Sequence, residues 1–242
     1  MANFVQDSPA RGIIASVMKR LSLIIFFVSC LLAGCSKIEA SREDVNNPGE
    51  EYGGSKPVYR ECNAIVTVKQ DAAGSVFFQL DDDTCLYPVR YTQPFTRQCR
   101  IICGLAWWSN SAYCQLNWMD YLQEGPVESG YDGEGDGVDV LDDWMTSVED
   151  GYLTLHYSAY WGNGSVAHSL MLVTGENPQD PYEVRLVHLN NGDTALVQAD
   201  ALIYFDLAAL PWTEGSGRKL TLKWKNGAGE QASRIFLYKS RQ

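Results

Sequence analysis

Several residues of this 242-residue chain are of types that do chemistry. Asp132-Gly133-Glu134-Gly135-Asp136-Gly137, with Asp143 at the twelfth position, follows the ligand order of a calcium loop. The twelfth residue is Asp rather than Glu, and no helical period flanks it, which favours a solvated acidic segment over an ion site. Cys62, Cys85, Cys99, Cys103 and Cys114 lie close together in the sequence. In an oxidising compartment such thiols can pair, and an odd number leaves one over; buried, unpaired thiols are the equal alternative. Cys99 and Cys103 lack the tight spacing of a zinc knuckle and have no histidine nearby. Strict alternation sets His156 with Thr154 and Ser158 on a solvent face. It sets His168 with Leu170 and Leu172, and His188 with Val184 and Leu186, inside or at the rim of a sheet. Structural histidines bonded to backbone or to Asp193 are favoured there over catalysis. Trp107, Trp108 and Tyr113 could stack on a glycan, although a core or interdomain contact is the commoner use of such rings. No Gly-x-Ser-x-Gly elbow, His-Glu-x-x-His helix or phosphate-cradling Gly-Lys-Ser/Thr loop occurs, so neither a catalytic group nor a cofactor is implied.

The charge balance narrows the partners. A formal net charge of -11 disfavours nucleic acid, whose phosphates need a basic surface. Residues 121–150 hold ten acids and no Lys or Arg, so the acidity is concentrated in one window.

The elements that would position these residues begin with an export signal. Lys19 and Arg20 precede the apolar run Leu21 to Ala33, which is too short to span a bilayer comfortably. Leu32-Ala33-Gly34-Cys35 resembles the lipobox of bacterial lipoproteins, in which cleavage before the cysteine is followed by acylation. That resemblance implies residues 1–34 as a removed signal, with a true start at Met18 as one reading, and a bilayer partner reached through acylated Cys35. Residues 35–59 are the lipidated cysteine and a polar tether rich in Gly and Pro, with a coil span of about 27 Å. Four or five short strands over 60–125 fit a small OB-like barrel. Residues 126–145 read as an acidic interdomain segment, and 146–242 alternate cleanly, as an antiparallel sandwich does. The fold class expected is therefore all-β, a small OB-like barrel followed by an antiparallel Ig-like β-sandwich.

This layout is similar to that of the NigD-like lipoproteins. The likeness is carried by Cys35, by Phe77-Phe78-Gln79-Leu80-Asp81-Asp82-Asp83-Thr84-Cys85-Leu86-Tyr87-Pro88 and by Gly135-Asp136-Gly137-Val138-Asp139-Val140. It continues through Asp150-Gly151-Tyr152-Leu153-Thr154-Leu155, His168 to Val173, Leu186 to Asp193 and Phe205-Asp206-Leu207. The resemblance implies a barrel-then-sandwich architecture, an outer-membrane lipoprotein facing the periplasm or the cell surface, and a non-enzymatic role such as bacteriocin immunity. The family carries no established catalytic residues to transfer. A carbohydrate-binding module, or less readily a hydrolase, is the alternative, using the aromatics around Trp107 and Trp108.

Overall fold

The computed structural model describes residues 57–80, 84–162 and 164–241. The signal, Cys35, the tether up to residue 56, the Asp81–Asp83 tract and Asn163 lie outside the described residues.

The first elements are β1 (Tyr59–Gln70), β2 (Val76–Gln79), β3 (Cys85–Pro88), β4 (Cys99–Trp108) and β5 (Tyr113–Tyr121). They close into a barrel in the order β1-β2-β3-β5-β4. Its backbone is the long β1–β4 ribbon, paired from Tyr59↔Trp108 to Val68↔Cys99. Closure comes from the parallel pairing of β3 with β5 at Tyr87↔Tyr113. Alternate residues point inward, so Val66, Val68, Phe78, Leu86, Ile101, Cys103, Leu105 and Cys114 form the barrel core. A bulge on the β4–β5 pair at Gly104/Leu105 lets the Trp118 ring lie over Gly104, where a Cβ would collide with it. The sequence pattern shows most of these strands but not β3, whose four residues are too few for visible alternation. It also misses the start of β1, which lies inside the stretch read as tether because its first residues are exposed and polar.

The sandwich is built from β6 (Gln123–Gly125), β7 (Val127–Ser129), β8 (Asp139–Val140), β9 (Ser147–Glu149) and β10 (Tyr152–Trp161). It is completed by β11 (Ser169–Thr174), β12 (Glu183–Leu189), β13 (Val197–Asp206), β14 (Arg218–Lys225) and β15 (Gln231–Tyr238). One sheet runs β6-β13-β10-β8, with β9 also on β10; the other runs β15-β14-β12-β11-β7. The long ribbons, β10–β13 and β14–β15, are antiparallel, while β6, β7 and the β12–β14 junction add parallel pairs. Leu153, Leu155, Leu172, Phe205, Leu220 and Leu222 fill the space between the sheets, each with almost no exposure. The all-β class, with a closed barrel and then a sandwich, is as the sequence reading expects.

Barrel and sandwich belong to one compact unit. Ile65 and Ile102 of the barrel pack with Met145, Trp118, Leu122 and Leu202. Beside them Arg100 is fully buried, donating to Thr67 Oγ1 at 3.1 Å and to the Glu149 carboxylate at 3.3 Å. Lys69 donates to Asp150 at 2.6 Å, and Gln98 to the Tyr152 hydroxyl at 2.9 Å. This joint explains why β10 is buried on both faces. The sheet face that alternation assigns to solvent is covered by the barrel and by the segment leading into β9.

Candidate functional site

The acidic window is folded onto the sandwich as a strap. After β7, Arg185 on β12 donates to Tyr131 O at 2.7 Å and to Gly133 O at 3.1 Å. Asp136 forms a β-bridge with His188, its N–H donating to His188 O at 2.7 Å, while its carboxylate accepts from Asn190 N at 2.8 Å. Val138 N donates to Lys225 O, and its side chain enters the sandwich core. Asp139 accepts from Gly227 N at 2.8 Å before β8 joins β10. Gly137 is required here, because a Cβ would meet Asn226 O at 2.5 Å. The segment read as an interdomain linker thus crosses from one sheet to the other and closes one side of the sandwich.

Beneath the strap lies a polar cleft of about 620 Å³, bounded by Asp132, Glu134, Glu176, Arg185, Lys225 and Gln231 among others. Arg185 is clamped by Glu176, whose carboxyl it holds below the usual range through their hydrogen bond; that contact in turn raises the proton affinity of the guanidinium. With Arg185 paired to Glu176, the exposed Asp132 and Glu134 outnumber Lys225 on the rim.

The calcium pattern is not assembled. Asp136 is bonded to Asn190, and Asp143 instead caps Met145 N and contacts His156 Nδ1. Among the described residues no three His, Cys, Asp or Glu side chains stand together as an ion site.

Behind the strap sits a buried polar chain. His188 Nδ1 lies 3.1 Å from Gly137 O, His188 Nε2 lies 3.0 Å from His168 Nδ1, and His168 Nε2 lies 3.2 Å from Asp193 Oδ2. Both ends of this chain are acceptors. Each of the four ring nitrogens therefore has a polar partner within hydrogen-bond reach. Burial is the largest influence on His188 and lowers its proton affinity. Trp161 stacks on the His168 ring with centroids 4.0 Å apart. The Gly162 N–H, followed by Thr194 N–H and His168, holds the Asp193 carboxyl below its usual range. These two histidines have the backbone and Asp193 partners that their sequence positions suggest. His156 does not face solvent as alternation implies: it is buried on β10, and Thr146 Oγ1 accepts its backbone N–H at 3.1 Å. The cause is the second cover on β10, which one strand's periodicity cannot show.

The aromatic candidates divide. Trp107 turns inward against the barrel core, whereas Trp108 and Tyr113 are more than half exposed. Among the cysteines, Cys103 and Cys114 are buried inside the barrel, Cys99 is half-buried and Cys85 is exposed; these four are thiols. Burial pushes the Cys103 thiol up to about 12 and the Cys114 thiol up to about 11. Cys62 is half-buried close enough to Cys103 to influence it.

Residues 123–238 match the NigD-like C-terminal beta sandwich domain. The sandwich is thus a NigD-like C-terminal domain. The match begins at β6, so the acidic strap falls within the family's sandwich domain. Among solved structures, a candidate toxin-related protein of Parabacteroides distasonis aligns with a TM-score of 0.61 and 22% identity, over 75% of this chain and 94% of that one. A NigD-like immunity protein of Bacteroides caccae aligns at 0.51 and 20% identity, over 72% and 91%. A protein of unknown function from Bacteroides vulgatus aligns at 0.58 and 19% identity, over 74% and 91%. No curated protein matches the sequence significantly. At these identities the solved structures speak to the fold, and they share its barrel-and-sandwich extent.

Proposed function

We propose that this NigD-like chain is an outer-membrane lipoprotein anchored through Cys35, and that it acts by binding rather than by catalysis. Its target is a cationic polypeptide, of which a bacteriocin met at the cell envelope is the leading case. The observation that carries this reading is the acidic strap. Its backbone is bonded at both sheets, so Asp132 and Glu134 are held as a fixed negative rim over the cleft rather than spread along a free chain. A pre-organised charged rim attracts an oppositely charged partner without first ordering its own loop. The lipobox and the NigD-like immunity protein of similar fold support the placement and the role. Among the described residues no helix is long and apolar enough to cross a membrane.

Calorimetric titration of the full chain with a lysine decapeptide tests the charge selection. Binding should weaken as salt is raised and fall at least about tenfold in Asp132→Asn/Glu134→Gln, equivalent to about 1.4 kcal/mol. Equal affinity in the two proteins, or no salt dependence, sinks the reading.

A further inference from the structure

We infer that the open end of the barrel is a lipid-docking surface, seated on the bilayer that holds the acylated cysteine; this rests on the lipoprotein reading above. Val58, Tyr59, Val89, Trp108 and Tyr113 are each at least half exposed, an unusual set of large apolar residues on a small barrel. Strand pairing sets them side by side in one strip around the β4–β5 turn. Tyr59 pairs with Trp108 in the β1–β4 register, and their rings meet edge to face at 5.3 Å. Ser109, just past Trp108, donates its N–H to Val58 O at 2.8 Å and accepts from Val58 N through its hydroxyl. On β5, Cys114 pairs with Trp107 and accepts from Val89 N at 3.0 Å, which brings Tyr113 and Val89 to the same rim. The tip between Trp108 and Tyr113 is Ser109-Asn110-Ser111-Ala112, short and uncharged.

Two further facts select a lipid surface as the occupant. The chain enters the barrel at this rim, because β1 starts at Tyr59 and only 22 residues separate Cys35 from Val58. Twenty-two residues reach at most about 75 Å even fully extended, so an acylated Cys35 would hold this surface within that distance of the headgroups. Charge agrees. Within two positions of the five residues the described charged side chains are Arg60, Glu61 and Arg90, and Asp71 accepts from the Tyr87 hydroxyl beside Tyr113, so this surface is close to neutral on a chain of -11. An anionic leaflet would therefore repel the acidic strap and not this surface of the barrel. Trp and Tyr are the side chains that settle at the membrane–water interface, with apolar bodies and polar tips. Docked in this way, the barrel works as a pedestal that fixes the height and tilt of the sandwich.

Vesicles of phosphatidylethanolamine and phosphatidylglycerol with brominated acyl chains test the proposal by quenching of tryptophan fluorescence in the full chain. The N-terminal peptide mass is recorded separately, so that a missing acyl group counts against the anchor and not against docking. The expected result is quenching that falls by at least half in Trp108→Ala and persists in Tyr121→Ala and Trp212→Ala, which alter exposed rings elsewhere. Tyr113→Ser, read by the rise in residual motion of the bound protein, gives a second variant should Trp108→Ala fold poorly. No quenching in the wild-type chain overturns the proposal, as does loss confined to Trp212→Ala. A fluorescence shift with soluble oligosaccharide but none with vesicles also overturns it, by making the same rings a glycan platform.

Discussion

At the residue scale, the histidines and cysteines serve the fold. His188 joins Gly137 O to His168, so His188→Ala orphans a carbonyl on the strap and a ring nitrogen behind it. The expected cost is about 2 kcal/mol, a fall of about 5 °C in melting temperature; an unchanged melting temperature would contradict the buried chain. Its pH dependence has a defined sign. His188 takes a proton less readily folded than unfolded, where its value is near 6.5. Below that pH the unfolded chain binds more protons, so stability should fall as pH falls through about 6.5. Asp193, also depressed when folded, adds a second loss as pH drops below its unfolded value of 3.8. Asp193→Asn should remove the lower step and leave the upper one, read by melting temperature across pH 3–8. The cysteines should separate by rate with a thiol reagent. Cys85 is exposed and should react at once, whereas Cys103 and Cys114, buried and with raised values, should react only on unfolding. Rapid modification of all the cysteines in the native state would show that the barrel core is open.

At the element scale, the strap is the part of the fold that sequence reading handled least well. Gly137→Ala should force a clash with Asn226 O, loosen the Asp136–His188 bridge and weaken peptide binding together with stability. Proteolysis is the direct check: cleavage within 131–137 should rise in the variant, and equal protection would mean the strap is held elsewhere. The reason for its illegibility is physical. Strands of two or three residues, such as β6, β7 and β8, carry no period, and their identity comes from backbone pairing with distant β13, β11 and β10. Ten acids in a row of loops look like solvated linker, because nothing local announces that His188, Asn190 and Arg185 will hold them. The long strands were legible. Leu153, Leu155 and Tyr157 alternate in sequence and line the core as a half-buried strand should. The same alternation misplaced His156, because it reports one packed face and is silent when the barrel covers the other.

At the scale of the whole molecule, the proposed function depends on a rigid joint between barrel and strap. Arg100 is its centre, reaching from β4 to Glu149 while lying 5.7 Å over the Tyr152 ring. Replacement by Met keeps volume but removes the charge-assisted bonds, and should cost about 1–3 kcal/mol. A Met variant as stable as wild type would show that the apolar contacts around Ile65 and Ile102 suffice. The order of barrel and sandwich was readable from strand spacing and turn residues, but their union was not, since it rests on side chains that look like ordinary surface charges in the sequence. The union gives the acidic rim a fixed place relative to the barrel, and the proposed binding of a cationic polypeptide at the envelope is the central claim. Survival of cells under bacteriocin challenge tests it most directly, comparing no protein, the full chain and Asp132→Asn/Glu134→Gln made at equal level and with equal acylation. The expected result is protection by the full chain and its loss in the variant; equal survival with either protein, or equal killing with and without the full chain, would contradict it.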